Sequence, residues 1–152
     1  MIRAVVLAIG LFGAMAGGMW YANSHREVRV TKPGEAFVQL IKALEDERGL
    51  YLEKLDCTLF YTRDYPYGAC YGSNVDTEDL VAALGQRLSP LAFSPGWRQD
   101  YGTWASFYEL RDGSKVTFGV SVTPTADNPD FQQDATLRRY AQFVTVTVND
   151  QP

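Results

Sequence analysis

The stretch Thr103-Trp104-Ala105-Ser106-Phe107-Tyr108-Glu109-Leu110-Arg111-Asp112-Gly113-Ser114-Lys115-Val116-Thr117-Phe118-Gly119-Val120-Ser121-Val122-Thr123 decides the fold. Val116, Phe118, Val120 and Val122 alternate with Lys115, Thr117, Gly119, Ser121 and Thr123. In a strand, successive side chains point to opposite faces, so this segment is apolar on one side only. That is the pattern of an antiparallel sheet covered on one face. Arg111-Asp112-Gly113 supplies the turn. A three-residue loop with Gly113 left-handed pairs Glu109 with Lys115, Tyr108 with Val116, Ser106 with Phe118 and Trp104 with Val120. A two-residue loop would set Glu109 against Val116 and Leu110 against Lys115, mixing the faces, so the odd loop is expected.

Two helices precede this hairpin. Pro33 suits a first helical position, where its missing N–H costs nothing. Phe37, Leu40, Ile41 and Leu44 then recur on one helical face, and Gly49 suits a left-handed end. Glu45, Asp46 and Glu47 read as a solvated run. Residues 50–54 fit either a helix extension or the entry to a strand. Asp76 is a good N-cap for a second helix with Leu80, Ala83, Leu84 and Leu88 on its apolar face, stopped by Ser89-Pro90. Residues 91–96 read as a loop, and 97–104 lead into the hairpin. Residues 124–137 read as a polar loop. In the final strand, 143–148, Val144, Val146 and Val148 alternate with Thr145 and Thr147. Helices and strands do not alternate strictly, which argues against a doubly wound parallel sheet. The expected fold is an α+β two-layer sandwich: an antiparallel sheet of about four to five strands with two helices on one face, preceded by an N-terminal hydrophobic segment.

Both cysteines lie in the stretch between the helices, with four tyrosines around them: Tyr61, Tyr65, Tyr67 and Tyr71. Cys57 and Cys70 are too far apart in sequence for a zinc pair, whose ligands sit about two to four residues apart. A disulfide fits instead, provided the domain lies in an oxidising compartment. Leu55, Cys57, Leu59 and Tyr61 alternate with Asp56, Thr58, Phe60 and Thr62, which reads as a strand. Asp64-Tyr65-Pro66-Tyr67-Gly68 is turn chemistry, and a return strand through 69–71 completes a hairpin stapled by the bridge. A loop of this size closed by a disulfide gains roughly 2–3 kcal/mol.

With 152 residues, 46% hydrophobic and 21% charged, the chain has room for one globular domain and a short extra segment. A net charge of -4 without a Lys/Arg cluster in the domain argues against nucleic acid as partner. Residues 4–21 are uncharged after Arg3. Two readings of residues 1–22 compete. Ala14-Met15-Ala16 offers a signal-peptidase site. The run is also close to the ~20 apolar residues that span a bilayer, with Trp20-Tyr21 where an interfacial belt would lie. The anchor is slightly preferred. Its orientation is contested: Arg26, Arg29 and Lys32 in the linker 23–32 would hold that flank in the cytoplasm. The cysteine pair argues that residues 33–150 form an extracytoplasmic domain, periplasmic or at the cell surface.

Catalytic chemistry is sparse. The single histidine, His25, lies in the linker, which leaves no Ser-His-Asp, Cys-His or histidine-based zinc constellation. No phosphate-binding glycine motif occurs, and no cofactor is expected. Asp64, Asp100, Glu109 and Asp112 are candidate carboxylates whose convergence the sequence does not reveal. Asp127, Asn128, Asp130 and Asp134 lack the pattern of a calcium loop, and no metal is expected. Aromatics are the more informative feature. Tyr65 and Tyr67 with Arg63, and Trp97 and Tyr101 with Arg98, are the candidate binding residues, because aromatics with polar tips on loops suit protein or glycan recognition. The expectation is a non-enzymatic envelope module binding an envelope protein or cell-wall glycan, with its N-terminal segment in the membrane. The alternatives are a small exported carboxylate-dependent glycan hydrolase and a cytoplasm-facing subunit of a membrane complex.

Overall fold

A computed structural model describes residues 31–45, 50–57 and 67–149. The first helix, α1 (Pro33–Glu45), starts at the proline and buries Ala36, Leu40 and Leu44. Strands β1 (Glu53–Leu55) and β2 (Gly68–Ser73) pair antiparallel, with Leu55 opposite Cys70. Helix α2 (Thr77–Leu88) follows. Asp76 caps it by accepting a hydrogen bond from the Glu78 N–H at 2.9 Å, and Leu80, Leu84 and Leu88 face inward. Two short strands come next, β3 (Ala92–Phe93) and β4 (Arg98–Asp100), then the long pair β5 (Thr103–Leu110) and β6 (Thr117–Pro124). A short helix, α3 (Pro129–Gln133), precedes the last strand, β7 (Gln142–Val148).

All pairings are antiparallel in the order β1-β2-β7-β6-β5-β3, with β4 also on the outer edge of β5. The α+β sandwich is therefore present, with α1 and α2 on the same face. Leu40, Leu44, Leu80, Leu84 and Leu88 share one core with Tyr71, Tyr108, Phe118, Val120, Val122, Val144, Val146 and Val148. Burying that apolar face is the main driving force for the fold.

Among the described residues the sheet has seven strands rather than four or five. The additions are β3 and β4, of two and three residues, too short to display an alternating pattern. They behave as one edge strand interrupted by a bulge. Ala92 faces Leu110 and Arg98 faces Ala105, so one extra residue is accommodated between them. Ser106 fills the gap: its hydroxyl lies 2.6 Å from the Ser94 hydroxyl and donates to the Gly96 carbonyl at 3.1 Å. β4 then turns into β5 through Tyr101-Gly102, whose φ values of 46° and 81° fit a two-residue type I′ turn.

The register of the central hairpin differs from the sequence-based expectation by two residues. Tyr108 faces Phe118, Ser106 faces Val120 and Trp104 faces Val122. The loop is wider because side chains brace it. Asp112 Oδ1 accepts from the Ser114 N–H at 2.9 Å, the Ser114 hydroxyl accepts from the Val116 N–H at 3.3 Å, and Lys115 joins Gly113 at positive φ. An even shift keeps every side chain on its expected face. It also stacks Tyr108 on Phe118, with centroids 5.0 Å apart.

Residues 124–137 are not a polar loop. Asn128 caps α3, accepting from the Asp130 and Phe131 N–H groups, and Asp134 accepts from Thr136 and Leu137. These caps fold Phe131 and Leu137 beneath the segment, onto the second face of the sheet. There they form a small core with Phe143, Leu55 and the cysteines. The strand entering the cysteine hairpin begins at Glu53, which settles 50–54 as strand entry. The continuation expected through 58–62, the glycine expected to end α1, and the N-terminal segment lie outside the described residues.

Candidate functional site

The two faces of the sheet are unequal. One is covered by α1 and α2. Among the described residues, the other is covered only over β1, β2 and one end of β7, by α3 and the segment around Leu137 and Tyr140. Register places Ala105, Phe107 and Glu109 on this second face, beside Ser121, Gly119 and Thr117 of β6, and then Thr145 and Thr147 of β7. Phe93, opposite Glu109, points the same way. Phe107 and Phe93 are 66% and 58% exposed, although each belongs to a strand. Apolar rings left in water on a sheet face are not needed to close the core.

Two depressions meet at Phe107. One, of about 170 Å³, is floored by Gly119, Ser121, Thr145 and Thr147, with Ala105 and Phe107 as its sides. The other, of about 400 Å³, lies between Phe107, Phe93, Pro95 and Thr117. The ring of Phe107 leans over the backbone of Gly119. Ser121 and Thr145 share a hydrogen bond of 2.6 Å, which fixes the hydroxyls of the floor. No charged side chain lines the first depression; Glu109 borders the second. The Arg111 guanidinium stacks on Phe93 at 3.6 Å. This is an apolar and hydroxylated centre with a charged rim, the anatomy of a recognition surface.

The structure separates the binding residues expected from sequence. Arg63 and Tyr65 lie outside the described residues. The Tyr67 ring rests on the α1 backbone at Gly34 and against Phe37, with centroids 6.0 Å apart, so it is part of the α1 packing. Trp97 packs into the main core and meets Tyr108 edge-on at 6.4 Å. Arg98 is exposed, and its pairing with Ala105 puts it on the open face at the rim. Tyr101 stands fully exposed at the tip of the β4–β5 turn. The sequence search missed Phe107 and Phe93. The hydrophobic pattern carried the signal for Phe107: it falls on the polar side of its strand, out of phase with Ser106 and Tyr108.

Cys57 and Cys70 are disulfide-bonded, with their Cα atoms 5.4 Å apart, and no free cysteine remains. A bonded pair of this kind belongs to an oxidising environment and so speaks for an extracytoplasmic location. Among the described residues, no helix is long and apolar enough to cross a membrane, and no group of three or more His, Cys, Asp and Glu side chains is placed to hold a metal ion. A third depression along α1, of about 330 Å³, contains Glu45 beside Lys54 at 3.1 Å. None of these depressions, nor that beside Gly34 and Glu35, is lined by two carboxylates. Asp112 is a carboxylate whose pKa is displaced. Burial is the largest single influence and raises its pKa, but hydrogen bonds from Ser114 and Thr31 together prevail and hold it below the usual range. A general acid requires the opposite direction.

No protein-family model matches the chain, and no curated protein or solved structure is significantly similar to it.

Proposed function

We propose that this chain is an extracytoplasmic, non-enzymatic binding module of the cell envelope that engages a protein or cell-wall glycan through the open face of its sheet. One observation carries this reading: Phe107 is exposed in the middle of a strand, between two depressions, on an uncharged floor of small and hydroxylated side chains. Such a ring can be buried by a partner at no cost in broken native contacts. Arg98, Glu109 and Arg111 form a rim whose side chains can hydrogen-bond a partner's polar groups. The anchors are thus Phe107 and Phe93, because Tyr67 and Trp97 are committed to packing. The disulfide supports the extracytoplasmic address and runs against the cytoplasm-facing alternative. The hydrolase alternative finds less support, since none of these depressions is lined by two acids.

The test is site-specific photocrosslinking in the native envelope. A benzophenone side chain at position 107 should capture envelope material. The same group at Val38, equally exposed but on α1 in the opposite layer, should not. Equal yields from both positions, or none from 107, would overturn the assignment.

A further inference from the structure

We infer that the ligand of the open face is an uncharged glycan strand, laid across β7, β6, β5 and β3 with one sugar ring stacked on Phe107. This rests on the open face being the binding surface and names its substrate class. Charge is the first reason. Ala105, Phe107, Gly119, Ser121, Thr145 and Thr147 leave nothing to pair with an anionic or cationic ligand at the centre of the face. Chemistry is the second. A sugar ring presents a flat C–H face and a rim of hydroxyls. Phe107 offers a flat apolar ring, and Ser121 and Thr147 each offer a group that both donates and accepts, with the buried Thr145 bonded to Ser121 beneath them. Ser121 retains further capacity beyond that one bond. An acyl chain would bury these hydroxyls against hydrocarbon, at a cost for each one left unpaired. An added peptide strand would need a free edge. The outer edge of β5 is already occupied by β3 and β4, and Pro95 and the bulge interrupt the edge beyond.

Shape is the third reason. The depressions share Phe107 and run across the strands, not along them. Three intervals of about 4.8 Å make a track of roughly 14 Å, the reach of a short oligosaccharide.

The probes are two uncharged tetrasaccharides, an N-acetylglucosamine tetramer and a glucose tetramer, titrated into the full chain as isolated from its own cell fraction. Amide resonances of Gly119, Ser121, Thr145 and Thr147 should shift with at least one probe. Phe107→Leu keeps an apolar cover over Gly119 but removes the flat ring. It should weaken binding about tenfold while leaving the melting temperature unchanged. Unaltered binding by Phe107→Leu would overturn the inference. So would silence from both tetramers while position 107 still crosslinks an envelope protein, an outcome that leaves the binding face standing. Silence in both experiments would remove the glycan and the face together.

Discussion

A methyl group added at Gly72 would stand 2.3 Å from the Tyr140 ring, whereas one added at Gly119 would meet Thr147 Oγ1 at 3.4 Å and the Phe107 ring at 3.6 Å. The two glycines lie on the same face of the sheet, one under its cover and one on its open floor. Gly72→Ala should therefore cost about 1–3 kcal/mol through overpacking. Gly119→Ala should stay within about 1 kcal/mol and tend towards stabilisation, as an alanine loses less freedom in a strand. Urea midpoints of the two variants check the contrast. Tyr101 makes the converse case. Its φ of 46° is a conformation that a tyrosine adopts at a cost and an asparagine adopts readily. Tyr101→Asn should raise stability by about 0.5–1 kcal/mol, read from the same midpoints. If the variant is destabilised instead, the ring is held by contacts that its full exposure denies.

The elements show how far the chain could be read before it folded. Both helices, the cap at Asp76, the stop after Leu88 and the alternation of β6 were legible, because each depends on neighbours close in sequence. β3 and β4 were not, because two or three residues carry no period. The turn between β4 and β5 was hidden by Tyr101-Gly102, which lacks the usual Asn-Gly or Asp-Gly signature. The polar count of 124–137 concealed a folded cover, since its Asn and Asp side chains are spent on backbone caps. At this scale the disulfide is the most testable contact. It ties the three-residue strand β1 to β2, and its reduction should lower stability by roughly 2–3 kcal/mol, seen as a drop in the urea midpoint with reductant. The junction of α1 with β2 has a pH signature. Tyr71 is fully buried and donates to Glu45 at 3.2 Å; burial first, then the charge of Glu45 and that hydrogen bond, push its pKa upward. A phenol whose folded pKa lies above its unfolded value of about 10 contributes fully below that pH and loses its contribution as pH rises past it. Stability should fall progressively as pH rises above about 10, and Tyr71→Phe should flatten that fall in thermal melts recorded across the alkaline range.

For the whole molecule, the address and the site were unequally legible. A cysteine pair needs only composition and spacing to be read as a disulfide, whereas an open sheet face exists only once strands distant in sequence are set side by side. Gly119 faces Phe107 across the hairpin, but Thr147, beyond Gly119, lies in a strand that no local window contains. In protein taken from its own cells and alkylated without reductant, Cys57 and Cys70 should stay unmodified, and the intact mass will show whether residues 1–16 are retained; two modified thiols would place the domain in the cytoplasm. One arrangement bears on the protein's history before it reaches that address. Among the described strands, β7 comes last in sequence yet lies inside the sheet: it stands between β2 and β6, which do not pair with each other. Until residues 142–148 emerge, the chain is two fragments with raw inner edges, each open to the wrong neighbour. A chain that crosses a membrane unfolded, amino end first, would thereby stay slack until β7 arrives. Lateness of closure, a hazard for aggregation, would serve such a chain as a safeguard against setting too soon.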